Sequence, residues 1–109
     1  MAPDIPSNAE KEAFASEVNT TKSTIKDCDS YIKSLNEEIL IDEARAAAAQ
    51  ARGLLGESVG YLMRSKDRRR LVQSYEAQRR AATQDLAILK EQWYNKYGFP
   101  AGWKRWDQL

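Results

Sequence analysis

Arg64, Lys66, Arg68, Arg69 and Arg70 form the densest run of one charge in this 109-residue sequence, and Arg79 and Arg80 follow further along. Guanidinium groups at such density can chelate phosphates, and the release of counterions would then drive binding to nucleic acid. The same run can pair instead with Glu37, Glu38, Asp42 and Glu43, or with an acidic partner. Two features favour pairing: no aromatic residue interleaves the run, and the net charge of the whole chain is only +1. Nucleic acid is therefore the lesser expectation.

The second concentration is aromatic. Residues 93–109 hold all three tryptophans, two of the five tyrosines and one of the two phenylalanines. Trp buries a large area with few rotors, Arg brings a planar charged fork, and both dominate binding hot spots. Trp93, Phe99, Trp103, Arg105, Trp106 and Leu109 are accordingly read as residues that dock on a protein partner. The competing reading folds this tail back over Phe14 and Val18, where it caps the open end of the molecule.

Other chemistry finds little support. The chain has no histidine, and its single cysteine, Cys28, has no Cys or His with which to bind zinc. Gly53, Gly56 and Gly60 precede no Gly-Lys-Ser or Gly-Lys-Thr, so they do not form a phosphate loop. The pairs Glu37-Glu38 and Asp42-Glu43 fit a solvated helix face better than an acid–base site. No catalytic residue, metal ligand or cofactor is assigned, and a non-enzyme is expected. The N-terminal segment lacks a basic stretch followed by an apolar run, and no apolar segment is long enough to span a bilayer. A cytoplasmic protein is expected, or one incorporated into a particle assembled in the cytoplasm.

The positioning elements are helical. Phe14, Val18, Thr21, Ile25, Cys28, Ile32, Leu35 and Ile39 are spaced alternately four and three residues apart, which is the seam of a coiled coil. Val72, Tyr75, Ala82, Leu86, Leu89 and Trp93 continue a seven-residue repeat, interrupted by Arg79. Between them lie three glycines in residues 53–60, the one strong breaker cluster. Residues 1–43 carry ten acidic and four basic side chains, and residues 44–109 six acidic and thirteen basic. Two antiparallel helices of opposite sign attract, which selects a hairpin over parallel self-pairing.

The expected fold is therefore all-α: a coiled-coil-like antiparallel helical hairpin forming a single domain over residues 1–109. Residues 1–7 form an extended arm, 8–52 helix 1, 53–60 a Gly-rich turn, 61–97 helix 2 and 98–109 the aromatic tail. Ser7 and Glu10 fit a capping box at the start of helix 1, and Gly98-Phe99-Pro100 fits the end of helix 2. A chain folding back at the middle of the glycine cluster pairs residues whose numbers sum to roughly 113. That places Ile39 opposite Tyr75, Thr21 opposite Trp93 and Phe14 near Phe99. An alternative path makes residues 44–63 helical, because Ala48, Ala51, Leu55, Val59 and Leu62 also form a stripe. A short third helix then ends near Ser65, and Ser65-Lys66-Asp67 caps the next.

Two long helices bury less than a compact domain of the same length, so association is expected. The leading expectation is a structural or adaptor subunit of a larger assembly, such as a viral particle, joined to other protein subunits as a homo- or hetero-oligomer. A nucleic-acid-associated protein and a small inhibitor working through its acidic helix are the alternatives.

Overall fold

A computed structural model describes residues 5–98 of the chain. The fold is an antiparallel helical hairpin of α1, Asn8–Ala51, and α2, Leu55–Tyr97. The start of α1 is fixed by Ser7. Its hydroxyl oxygen accepts from the Glu10 amide at 3.2 Å, and the hydroxyl donates to the Glu10 carboxylate at 3.2 Å. A first-turn amide that would otherwise lack a helical acceptor is thereby satisfied.

The turn is closed by backbone geometry. The Gly53 amide donates to the Gln50 carbonyl at 3.0 Å and the Leu54 amide to the Ala49 carbonyl at 2.9 Å, the paired bonds of a Schellman motif. Gly53 takes φ +77°, a left-handed conformation that a side chain disfavours. The Leu54 carbonyl then accepts from the Ser58 amide at 3.0 Å, which opens α2. At the far end, Gly98 repeats the left-handed stop at φ +69°, and its amide reaches the Tyr94 carbonyl at 2.7 Å.

This closure corrects the expected turn over 53–60. One left-handed glycine suffices to reverse the chain, so Gly56 and Gly60 are helical and α2 begins at Leu55 rather than Tyr61. Ser65 lies in the interior of α2, and no third helix starts there. The glycines accordingly differ in their response to substitution. Gly53→Ala is expected to cost about 1 kcal/mol through backbone strain. Gly56→Ala and Gly60→Ala should each stabilise by up to ~1 kcal/mol by improving helix propensity. Nothing lies within 4 Å of a methyl added at either helical position. Thermal unfolding followed by circular dichroism reads both signs, and a stabilising Gly53→Ala would contradict this turn.

The α1 seam runs further than its apolar residues indicate. After Ile39 the same alternation of four and three reaches Asp42, Ala46 and Ala49, all buried. On α2, Ser58, Ser65, Val72, Ala82, Trp93 and Tyr97 are buried. Thr21 is tolerated within the stripe because its hydroxyl donates to the Glu17 carbonyl at 2.9 Å.

The hairpin divides into two compact units. One is Lys26–Arg79 and contains the turn; the other comprises the described residues outside that range. In the turn unit, Cys28, Ile39 and Val72 are buried, and Tyr31 stacks on Tyr75 with centroids 5.0 Å apart. The second unit has its own core of Phe14, Val18, Trp93 and Tyr97, with Leu86 and Leu89 against it. Phe14 stacks on Trp93 at 4.3 Å, and Tyr97 tilts against Trp93 at 4.4 Å.

These contacts correct the expected register. Trp93 meets Phe14 rather than Thr21, and Tyr75 meets Tyr31 rather than Ile39. Paired numbers therefore total 107 and 106, not roughly 113. The physical reason is the short turn: centring the reversal on Gly53 rather than on the whole glycine cluster slides α2 along α1 by about one heptad.

Candidate functional site

The basic run lies on α2 within the turn unit. At 3.6 residues per turn, seven consecutive residues encircle a helix almost twice. Arg64, Lys66, Arg68, Arg69 and Arg70 are consequently distributed around α2 rather than gathered on one face. Arg68 points inward along the seam. Its Nη1 bonds the Asp42 carboxylate, and its Nε lies 3.1 Å from Glu38 Oε2. Arg69 pairs with Glu43, to which the Ser65 hydroxyl also donates at 3.4 Å. Arg70 lies 3.9 Å from Asp67, and the Arg64 guanidinium sits 5.8 Å from the centroid of the Tyr61 ring. Further along, Arg79 pairs with Asp29.

The sequence already paired the arginine run with Glu38, Asp42 and Glu43, and missed only how deeply Asp42 lies. It is 2% exposed, whereas Asp42-Glu43 looked like a solvated pair. Its position in the four-and-three alternation was the available signal, and its acidic side chain concealed it. Burying a carboxylate is costly unless a cation and hydrogen bonds compensate it, and Arg68 supplies both.

Trp93 belongs to the core of the second unit at 7% exposure, so its ring is not displayed to a partner. Phe99, Trp103, Arg105, Trp106 and Leu109 lie outside the described residues.

Exposed apolar side chains form the third feature. Leu40, Ile41, Leu54, Leu55, Val59, Leu62 and Met63 are each 43–67% exposed, and all fall within 24 residues around the turn. Leu55, Val59 and Leu62 follow spacings of four and three and so share one face of α2. This stripe was legible in the sequence, where it pointed to an extra helix rather than an outer surface.

Concave features are shallow. A groove of about 410 Å³ is lined by Glu17, Thr20, Thr21, Asp85, Ile88 and Leu89, together with Ser16. Another of about 270 Å³ lies along Glu10, Phe14, Glu17, Trp93, Lys96 and Tyr97. Neither joins a nucleophile to a paired base. Among the described residues no three His, Cys, Asp or Glu side chains gather into a metal site, and no helix is long and apolar enough to cross a membrane.

No protein-family model, curated protein or solved structure matches the chain.

Proposed function

We propose that this chain is a non-enzymatic helical-hairpin subunit of a larger protein assembly, joined to its neighbours through outer helix faces near the turn and through its aromatic C-terminal segment. The observation that carries this reading is the cluster of seven large apolar side chains, 43–67% exposed, around the turn. So many large apolar side chains left in water within one stretch of chain are candidates for association surfaces. A structural or adaptor role fits a scaffold whose interior is occupied by its own seam. A particle built from protein subunits in the cytoplasm is the proposed setting.

Phosphate binding by Arg64, Lys66, Arg68, Arg69 and Arg70 is the weaker reading. Arg68 and Arg69 already share Glu38, Asp42 and Glu43, and that pairing reduces their attraction for phosphate.

The test is sedimentation of the untagged chain in extracts of its native cells. The expected species is far heavier than the 12.4 kDa chain. Leu55→Ser/Val59→Ser/Leu62→Ser and removal of residues 99–109 should each release the chain from it without loss of helicity. Sedimentation of the unaltered chain as a free monomer would refute the proposal, and retention of both variants in the heavy species would refute the assigned surfaces.

A further inference from the structure

The ion pairs of the turn unit divide its arginines into two sets. Arg68, Arg69, Arg70 and Arg79 each face a carboxylate of the chain itself. Arg45, Arg52 and Arg64 enter no ion pair among the described residues. Two of these three line one groove. It holds about 250 Å³ beside the turn, with Arg45, Ala48 and Arg52 on one side and Leu54, Glu57 and Tyr61 on the other. The third guanidinium, that of Arg64, sits 5.8 Å from the centroid of the Tyr61 ring.

Helical spacing sets the two groove arginines in line. Ile41, Arg45, Ala48 and Arg52 are spaced four, three and four residues apart, so they share one face. The Arg52 amide still bonds the Ala48 carbonyl at 3.2 Å, which carries that face through to the turn. Two helical turns, about 10.5 Å along the axis, separate Arg45 from Arg52, and the small side chain of Ala48 between them leaves the groove open. Among the described residues Glu57 is the one carboxylate that lines it, so cationic charge is in excess there.

The surroundings identify the anion. A nucleic-acid backbone is held by a track of several cations and gains nothing from apolar neighbours. Here the unpaired guanidiniums are confined to one groove, because carboxylates of α1 already engage Arg68 and Arg69. Ile41, 49% exposed, lies one turn before Arg45, and Leu54, 43% exposed, is part of the groove wall. Exposed apolar and guanidinium groups alternating along one face are complementary to an amphipathic helix that carries carboxylates at matching turns.

We propose that the groove of Arg45, Arg52 and Tyr61 binds an acidic amphipathic helix of a partner protein. Two carboxylates, two turns apart, engage Arg45 and Arg52, and apolar side chains beside them cover Ile41 and Leu54. The inference rests on the assembly reading above and names the chemistry of one partner.

Titration of the purified full chain with a synthetic helical peptide tests this, the peptide bearing two glutamates seven residues apart and a leucine one turn outside them. The Nε–Hε resonances of Arg45 and Arg52 should shift, whereas that of Arg80, exposed and in the other unit, should not. The same peptide with glutamines in place of glutamates should bind about tenfold more weakly, the scale of two exposed ion pairs near the favourable end of their range. Arg45→Gln/Arg52→Gln should lose the same factor with helicity unchanged. Equal binding of the two peptides, an unaltered affinity of the double variant, or a short DNA duplex that shifts the same two resonances at lower concentration would overturn the proposal. If the heavy species in extracts persists while the isolated chain ignores the acidic peptide, the groove assignment fails and the assembly reading stands.

Discussion

Arg68→Ala is expected to destabilise the hairpin by about 3 kcal/mol, a large fraction of the stability of a small domain. The reason is the partner left behind. Asp42 is 2% exposed, and its recorded cation is Arg68, whose side chain is 30% exposed. Removing the guanidinium leaves a carboxylate in the interhelical seam with its charge uncompensated. Breaking a fully buried pair costs roughly 3–5 kcal/mol, and the partial exposure of Arg68 places this pair at the lower end. Urea unfolding followed by circular dichroism measures the loss; a change below about 1 kcal/mol would mean that water replaces the guanidinium at Asp42. Asp42→Leu/Arg68→Leu separates stability from specificity. Apolar replacement of both partners should be neutral or stabilising, while the hairpin loses a device that distinguishes one heptad register from the next. Cross-linking of cysteines placed at facing positions would reveal the mixed registers, and a single register would exclude that role.

Trp93→Ala is expected to cost about 4 kcal/mol, through lost burial and the cavity that remains. Its ring is 7% exposed, stacks on Phe14 at 4.3 Å and meets Tyr97 at 4.4 Å. These residues and Val18 constitute the buried cluster of their unit, so the loss should be local. Hydrogen exchange should show amides near Phe14 and Trp93 losing protection while those within Lys26–Arg79 keep most of theirs. Uniform loss across both units would show that the hairpin unfolds as one cooperative body. A double-mutant cycle with Phe14→Leu should give a coupling of about 1 kcal/mol, the usual worth of a stacked aromatic pair beyond its buried area.

The features that the sequence placed well are local or strictly periodic. Ser7 and Glu10 are three residues apart, so their capping contacts depend on nothing distant. Gly98 stops α2 for a reason contained in its own backbone. Phe14, Val18, Cys28 and Ile39 repeat at the seam period, and all four are buried. The candidate surfaces were less legible. Trp93 fell both on the α2 seam repeat and among the hot-spot residues of the tail, and its packing against Phe14 decides for the interior. The five basic residues from Arg64 to Arg70 are neighbours in sequence, but helical geometry separates their directions and α1 engages two of them.

By itself the sequence determined two helices, the stripe along each and the opposite charges that draw them together antiparallel. The tertiary structure decided which heptad of α1 meets which heptad of α2. A seam that repeats every seven residues accepts a slip of one whole heptad with nearly the same apolar match, so periodicity cannot choose. The choice lies in features outside the period: the single left-handed glycine at Gly53, which sets where the chain reverses, and the pairing of buried Asp42 with Arg68. The turn is closed by bonds within residues 49–54, but which of the three glycines reverses the chain is not marked by the period, and a buried charge has to find its opposite at one particular register.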